Sequence, residues 1–174
     1  MMRRALNSFL RREDGAATLE FVIIFPLIMV VFMSLFEAAV LTTRYTMLER
    51  ALDLTVRGLR LNTGAALTHA QVRNRICEYT NMIPDCETSL IVELTPVAKP
   101  AFNLPSTSAP CVNRANASPP LQTLTHGVAN QLMLIRACAV VDPTFPMTGL
   151  GLSLTKDATG GLQLVSVSAF VAEP

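Results

Sequence analysis

Few residues in this chain have types and spacing suited to chemistry, and the most informative of them are cysteines. Cys77, Cys86, Cys111 and Cys138 are the 4 cysteines of the sequence. The gaps between them hold no CxxC knuckle, which argues against a zinc site and for disulfides formed in an oxidising compartment. Sequence alone does not choose among the possible pairings. The short separation of Cys77 and Cys86 favours a local bond, which leaves Cys111 to Cys138. His69 and His126 are the only histidines. Nothing beside them marks a nucleophile, a phosphate cradle or paired metal ligands, so no catalytic residue, cofactor or metal ion is expected. What remains is a pair of carboxyl groups in an unusual place. Glu20 opens an uncharged apolar run, and a carboxylate in lipid costs several kcal/mol and persists mainly where function requires it. Glu37, about 25 Å further along a helix, is expected at the outer headgroups.

The element that positions these carboxyls is a helix. From Phe21 to Thr43 the only charge is Glu37. A helix over 16–43 rises about 42 Å at roughly 1.5 Å per residue, more than the roughly 30 Å of a hydrocarbon core. With Phe, Ile, Val and Met at every angle it needs lipid or a large protein around it, and the rest of the chain is too small to be the second. The hydrophobic content of 51% and the mean hydropathy of +0.41 are concentrated here. Arg3, Arg4, Arg11 and Arg12 precede the span, so the positive-inside rule keeps the N-terminus in the cytoplasm and exports the cysteines. The expected organisation is a leader over 1–15, a single transmembrane helix over 16–43 and an exported domain over 44–174. Removing residues 1–15 takes away four basic and two acidic groups, so the net charge of +1 becomes −1. No basic field points to nucleic acid.

Beyond the span, Tyr45, Leu48, Leu52, Val56 and Leu59 recur at helical spacing and draw one apolar stripe, with Asp53 and Arg57 placed for an i,i+4 pair on another side. Thr68 and Gln71 form a capping-box pattern that opens a short helix with Val72, Ile76 and Tyr79 on one face, ended by Pro84. Leu90 to Thr95 reads as a strand, residues 96–120 as a proline-rich irregular loop, and Gln131 to Val141 as a second strand. Leu152–Lys156 and Leu162–Ala172 read as a hairpin around a glycine-rich turn, with Val165, Val167, Ala169 and Val171 as its apolar face. The fold class is α+β: a long N-terminal helix that becomes amphipathic and packs on a small antiparallel sheet.

The junction before the span reads Arg11-Arg12-Glu13-Asp14-Gly15-Ala16-Ala17-Thr18-Leu19-Glu20-Phe21. It resembles a type IV prepilin processing signal, in which a membrane-embedded prepilin peptidase cuts after the glycine. A cut between Gly15 and Ala16 would leave a charged amine on Ala16, four residues before Glu20 and on the same helix face. The stretch from Gly15 to Leu27, with Phe36-Glu37 beyond it, is similar to the TadE/TadG-like pilus assembly family. Met47-Leu48-Glu49-Arg50-Ala51-Leu52-Asp53, Cys77 with Pro84-Asp85-Cys86, Asn130-Gln131-Leu132-Met133 and Ser168-Ala169-Phe170-Val171 resemble TadE-type members. The sequence departs from the usual signal in having Phe21 where tyrosine is common, and acids directly before Gly15.

The resemblance implies a pilin-like minor pseudopilin of a tight-adherence (Flp, type IVc) pilus, used for surface attachment. It implies a bacterial inner-membrane location, with the C-terminal domain periplasmic or carried into the pilus. The implied partners are a prepilin peptidase, other pilus or pseudopilin subunits, the inner-membrane assembly platform and the lipid bilayer. Glu20 and Phe21 are the expected assembly positions, and Pro26 is the expected site of a kink in the span. The competing expectation is an uncleaved, membrane-anchored periplasmic binding or adhesion domain. An enzyme is a distant third.

Overall fold

The computed structural model describes residues 16–61, 67–98, 111–114, 124–125 and 127–173. The leader 1–15, most of the proline-rich loop and His126 lie outside these residues. One helix, α1 (Ala16–Leu61), runs for 46 residues, about 69 Å at roughly 1.5 Å per residue. It continues through Pro26 without interruption. Among the described residues three further helices are short: α2 (His69–Tyr79), α3 (Cys86–Ser89) and α4 (Gly149–Ser153). Three strands, β1 (Leu90–Pro96), β2 (Leu132–Val141) and β3 (Leu162–Val171), form an antiparallel sheet in the order β1-β2-β3.

The core lies between the second half of α1 and one face of this sheet. Leu48, Ala51, Leu52, Val56 and Leu59 of α1 are buried, as the apolar stripe requires. Each Leu or Val so buried stabilises the fold by roughly 1.5–3 kcal/mol. Tyr45, at the head of the stripe, stays exposed, and Thr55 joins the buried face by turning its hydroxyl onto the Ala51 carbonyl at 2.8 Å. Asp53 and Arg57 pair on the solvent side at 3.0 Å. The sheet supplies Leu90, Val92 and Leu94 from β1, and Met133, Ile135, Ala137, Ala139 and Val141 from β2.

Strand β3 corrects the sequence reading twice. Its register, Ala137↔Ser166 and Met133↔Phe170, turns Leu162, Leu164, Ser166 and Phe170 toward α1. The expected apolar face points the other way, and Val167 and Val171 are exposed. Small serines sit where the helix crosses the strand, and the large residues of that parity are at its ends. Nor does β3 form a hairpin with the residues before it. Gly149–Ser153 is one helical turn, and β3 pairs with β2 alone. The expected turn exists in another role: the Asp157 carboxylate accepts the amides of Thr159 and Gly161, each at 2.8 Å, and so bends the chain from α4 into β3.

Helix α2 opens with the complete capping box of Thr68 and Gln71. It buries Val72 and Ile76 against α1 and β1 and leaves Tyr79 exposed. It ends at Thr80 rather than at Pro84. Two disulfides, Cys77–Cys86 and Cys111–Cys138, each span a Cα separation of 5.7 Å. The first ties α2 to α3. The second holds residues 111–114 on the sheet face opposite α1, where Cys111, Cys138 and Val140 form a separate small core. Arg136 lies on that same face, buried and paired with Glu93 at 3.0 Å.

Candidate membrane and assembly site

The first half of α1 has an unusual surface. Leu27 is 70% exposed, Phe32 64% and Leu35 64%, on a helix with apolar residues at every angle. Phe21 and Phe25 stack on each other with ring centroids 5.2 Å apart. Apolar area left in water costs about 25 cal/mol per Å², so a surface of this kind belongs in another medium. Among the described residues, α1 is the one helix long and apolar enough to cross a membrane.

Glu20 is exposed on this half, near the start of the helix, and Gly15, the expected cleavage residue, lies outside the described residues. Ala16 is the first residue of α1, which places Glu20 one turn further along the same face.

The second carboxyl is not where the sequence suggests. Glu37, expected at the outer headgroups, is 1% exposed. Its Oε1 accepts the Thr144 amide at 3.0 Å and its Oε2 accepts the Phe145 amide at 2.8 Å. The loop between β2 and α4 therefore folds down along α1 and covers the carboxyl. Hydrogen bonds to a charged group are worth about 1.5–3 kcal/mol each, which offsets the cost of taking the carboxyl out of water. One turn earlier the Ser34 hydroxyl accepts the Leu150 amide at 3.3 Å. Gly149 packs against this serine with a φ of +42°, so a side chain there would meet both a collision and a strained backbone.

Above the loop, charges collect at one level. Arg44 donates to the Asp142 carbonyl at 3.0 Å, and Arg114 grips the Asp142 carboxylate with both terminal nitrogens, at 2.9 and 2.6 Å. The Arg114 hydrogen bonds hold the Asp142 carboxyl below its ordinary range, with a smaller contribution from the charge of Arg44.

The structure thus separates the residues singled out in the sequence. Glu20 and Phe21 stand on the bare half of α1, Glu37 is closed in by a loop more than 100 residues away in sequence, and the cysteines brace the sheet at a distance from both. Ser34, Thr144, Phe145 and Gly149 gave no functional signal. The one available clue was the absence of charge between Asp142 and Lys156.

This combination, a bare apolar half-helix continuing into the core helix of a small sheet domain, is the setting for the comparison with known families. Residues 15–57 match the TadE-like protein family. The TadE-like segment begins at the glycine before α1 and ends inside the core-forming half, so it contains Glu20, Pro26 and Glu37 and stops short of the sheet. No curated protein and no solved structure matches the chain.

Proposed function

We propose that this chain is a minor pseudopilin that acts in the assembly of a tight-adherence (Flp) pilus. In this reading residues 16–43 anchor it in the bacterial inner membrane, with the leader in the cytoplasm and residues 44–174 in the periplasm. A prepilin peptidase cuts between Gly15 and Ala16. The new amine of Ala16 then pairs with Glu20 of its own or a neighbouring subunit. Other pilus subunits and the inner-membrane assembly platform pack on the bare half of α1, beginning with Phe21, and Pro26 loosens the span where the subunit must leave the bilayer.

The observation that carries this reading is the TadE-like match over 15–57, centred on a helix whose first half has little of its own chain to cover it. The test is the mass of the mature N-terminus in cells with and without the peptidase. The expected product begins at Ala16, and Gly15→Val leaves the full-length precursor in the membrane. An unchanged mass in both strains would instead make the chain an uncleaved anchor for a periplasmic binding or adhesion domain.

A further inference from the structure

The loop that closes over Glu37 has a composition and a position that a water-facing loop does not need. Between Asp142 and Lys156 there are thirteen residues without a charge. Met147 is 80% exposed and Leu152 62%, and both belong to a segment that lies against the apolar half of α1. The Phe145 ring meets Phe36 edge-on, with centroids 5.9 Å apart, and the α4 end of the segment reaches back as far as Ser34 and Val30.

Depth follows from helix geometry. If hydrocarbon begins just after Glu20, about 20 residues of helix reach its far side near Val40. Ser34 and Glu37 then lie roughly 5–9 Å below that boundary at about 1.5 Å per residue. Whatever is bonded to these two side chains shares their depth.

We propose that residues 143–155 form a second membrane contact, a short re-entrant segment in the leaflet nearest the sheet domain, with acyl chains covering Met147 and Leu152. The proposal rests on the reading of α1 as a membrane span. Backbone in lipid must find partners inside the protein, and five amides of this segment do so. The amides of Thr144 and Phe145 go to Glu37 and that of Leu150 to Ser34. Thr148 donates to the Phe145 carbonyl at 3.4 Å and Leu154 to the Leu150 carbonyl at 3.1 Å. Lys156 reaches back to the Pro146 carbonyl at 3.2 Å, the arrangement of a lysine at a lipid–water boundary. Arg44, Arg114 and Asp142 mark the same boundary on the β2 side. The Phe145 ring joins this segment to the exposed Phe36 of the span, so one medium covers both.

The sequence contains no tryptophan, which makes a single introduced indole a clean probe. Full-length protein carrying Met147→Trp is reconstituted in phosphatidylcholine vesicles doped with phosphatidylcholine spin-labelled either near the head group or deep in the chain. Leu27→Trp reports on the span, and Val128→Trp, 71% exposed on the sheet domain, reports on water. Met147→Trp is expected to emit to the blue and to lose most of its intensity to the shallow label. Leu27→Trp should lose it to the deep label, and Val128→Trp to neither. A Leu152→Trp variant repeats the measurement should the first misfold. If Leu27→Trp is quenched while both loop probes are not, the re-entrant segment is refuted and the span stands. Blue emission from the loop probes without lipid quenching also refutes it, because protein then covers the loop. If no probe is quenched, the span reading has failed as well.

Discussion

At Glu37 a carboxyl group with 1% exposure accepts two backbone amides of the β2–α4 loop. Glu37→Ala leaves two part-buried donors without this acceptor and should destabilise the protein by about 1–3 kcal/mol. Glu37→Gln keeps one acceptor and should fall between the two. Thermal unfolding in detergent checks this, and an unchanged midpoint for the alanine variant would show that the clamp contributes nothing. Among the described residues His69 ties stability to pH near neutrality. Burial lowers its pKa from the ordinary 6.5, and the neighbouring Arg73 charge lowers it further. Its Nε2 accepts the Val92 amide at 3.2 Å, a bond that needs an unprotonated nitrogen. The unfolded chain therefore binds a proton in a range where the folded chain does not. The contribution of His69 is fully present above about 6.5 and declines as pH falls toward the folded value. Asp142, whose pKa is lowered from 3.8, loses its contribution only in a more acidic range. The unfolding midpoint of the native chain should thus drop as pH falls below about 6.5, and His69→Gln should flatten that drop. Parallel slopes for the two proteins would refute the assignment.

Elements were legible where local chemistry and burial agree. The stripe Leu48, Leu52, Val56 and Leu59 sits on the core because its period is that of a helix with one covered side. The capping box of Thr68 and Gln71 needs only three residues of sequence and forms as read. Strands β1 and β2 are short apolar runs between turn residues. Elements were illegible where a distant contact decides. The alternation Leu152-Ser153-Leu154-Thr155 resembles a strand, but Ser34 and Glu37 hold the segment against α1, and the helical turn at Gly149 follows from that position. In β3 both parities carry apolar residues, so the alternation does not say which faces the core. The crossing of α1 decides for Ser166, which is buried, and against Val167. The candidate site divides in the same way. The uncharged apolar run of α1 is a local signal, whereas the loop over Glu37 depends on partners 107 and 108 residues apart, which periodicity cannot connect.

On the scale of the whole molecule, α1 is one helix in two environments, and the boundary between them should be separable. Residues from Leu48 onward supply all of the α1 side chains in the main buried core, and the sheet, α2 and both disulfides lie after them. The first half contributes Leu41, partly buried against that core, the ligands of the β2–α4 loop, Ser34 and Glu37, and the ring of Phe36. A fragment of residues 44–174 therefore keeps the buried core, loses the Leu41 contact and loses the anchor of one loop. In water the freed amides of Thr144, Phe145 and Leu150 find solvent, so the cost is far below that of burying them unpaired, on the order of 1 kcal/mol. We expect this fragment to be soluble under oxidising conditions, to unfold in one cooperative transition, and to be cut by proteases first between Pro143 and Thr155. A fragment beginning at Met33, kept in mild detergent, should protect that loop. If residues 44–174 show no cooperative transition with both disulfides formed, the membrane half of α1 is part of the folding unit, and the division of the chain at Arg44 is wrong.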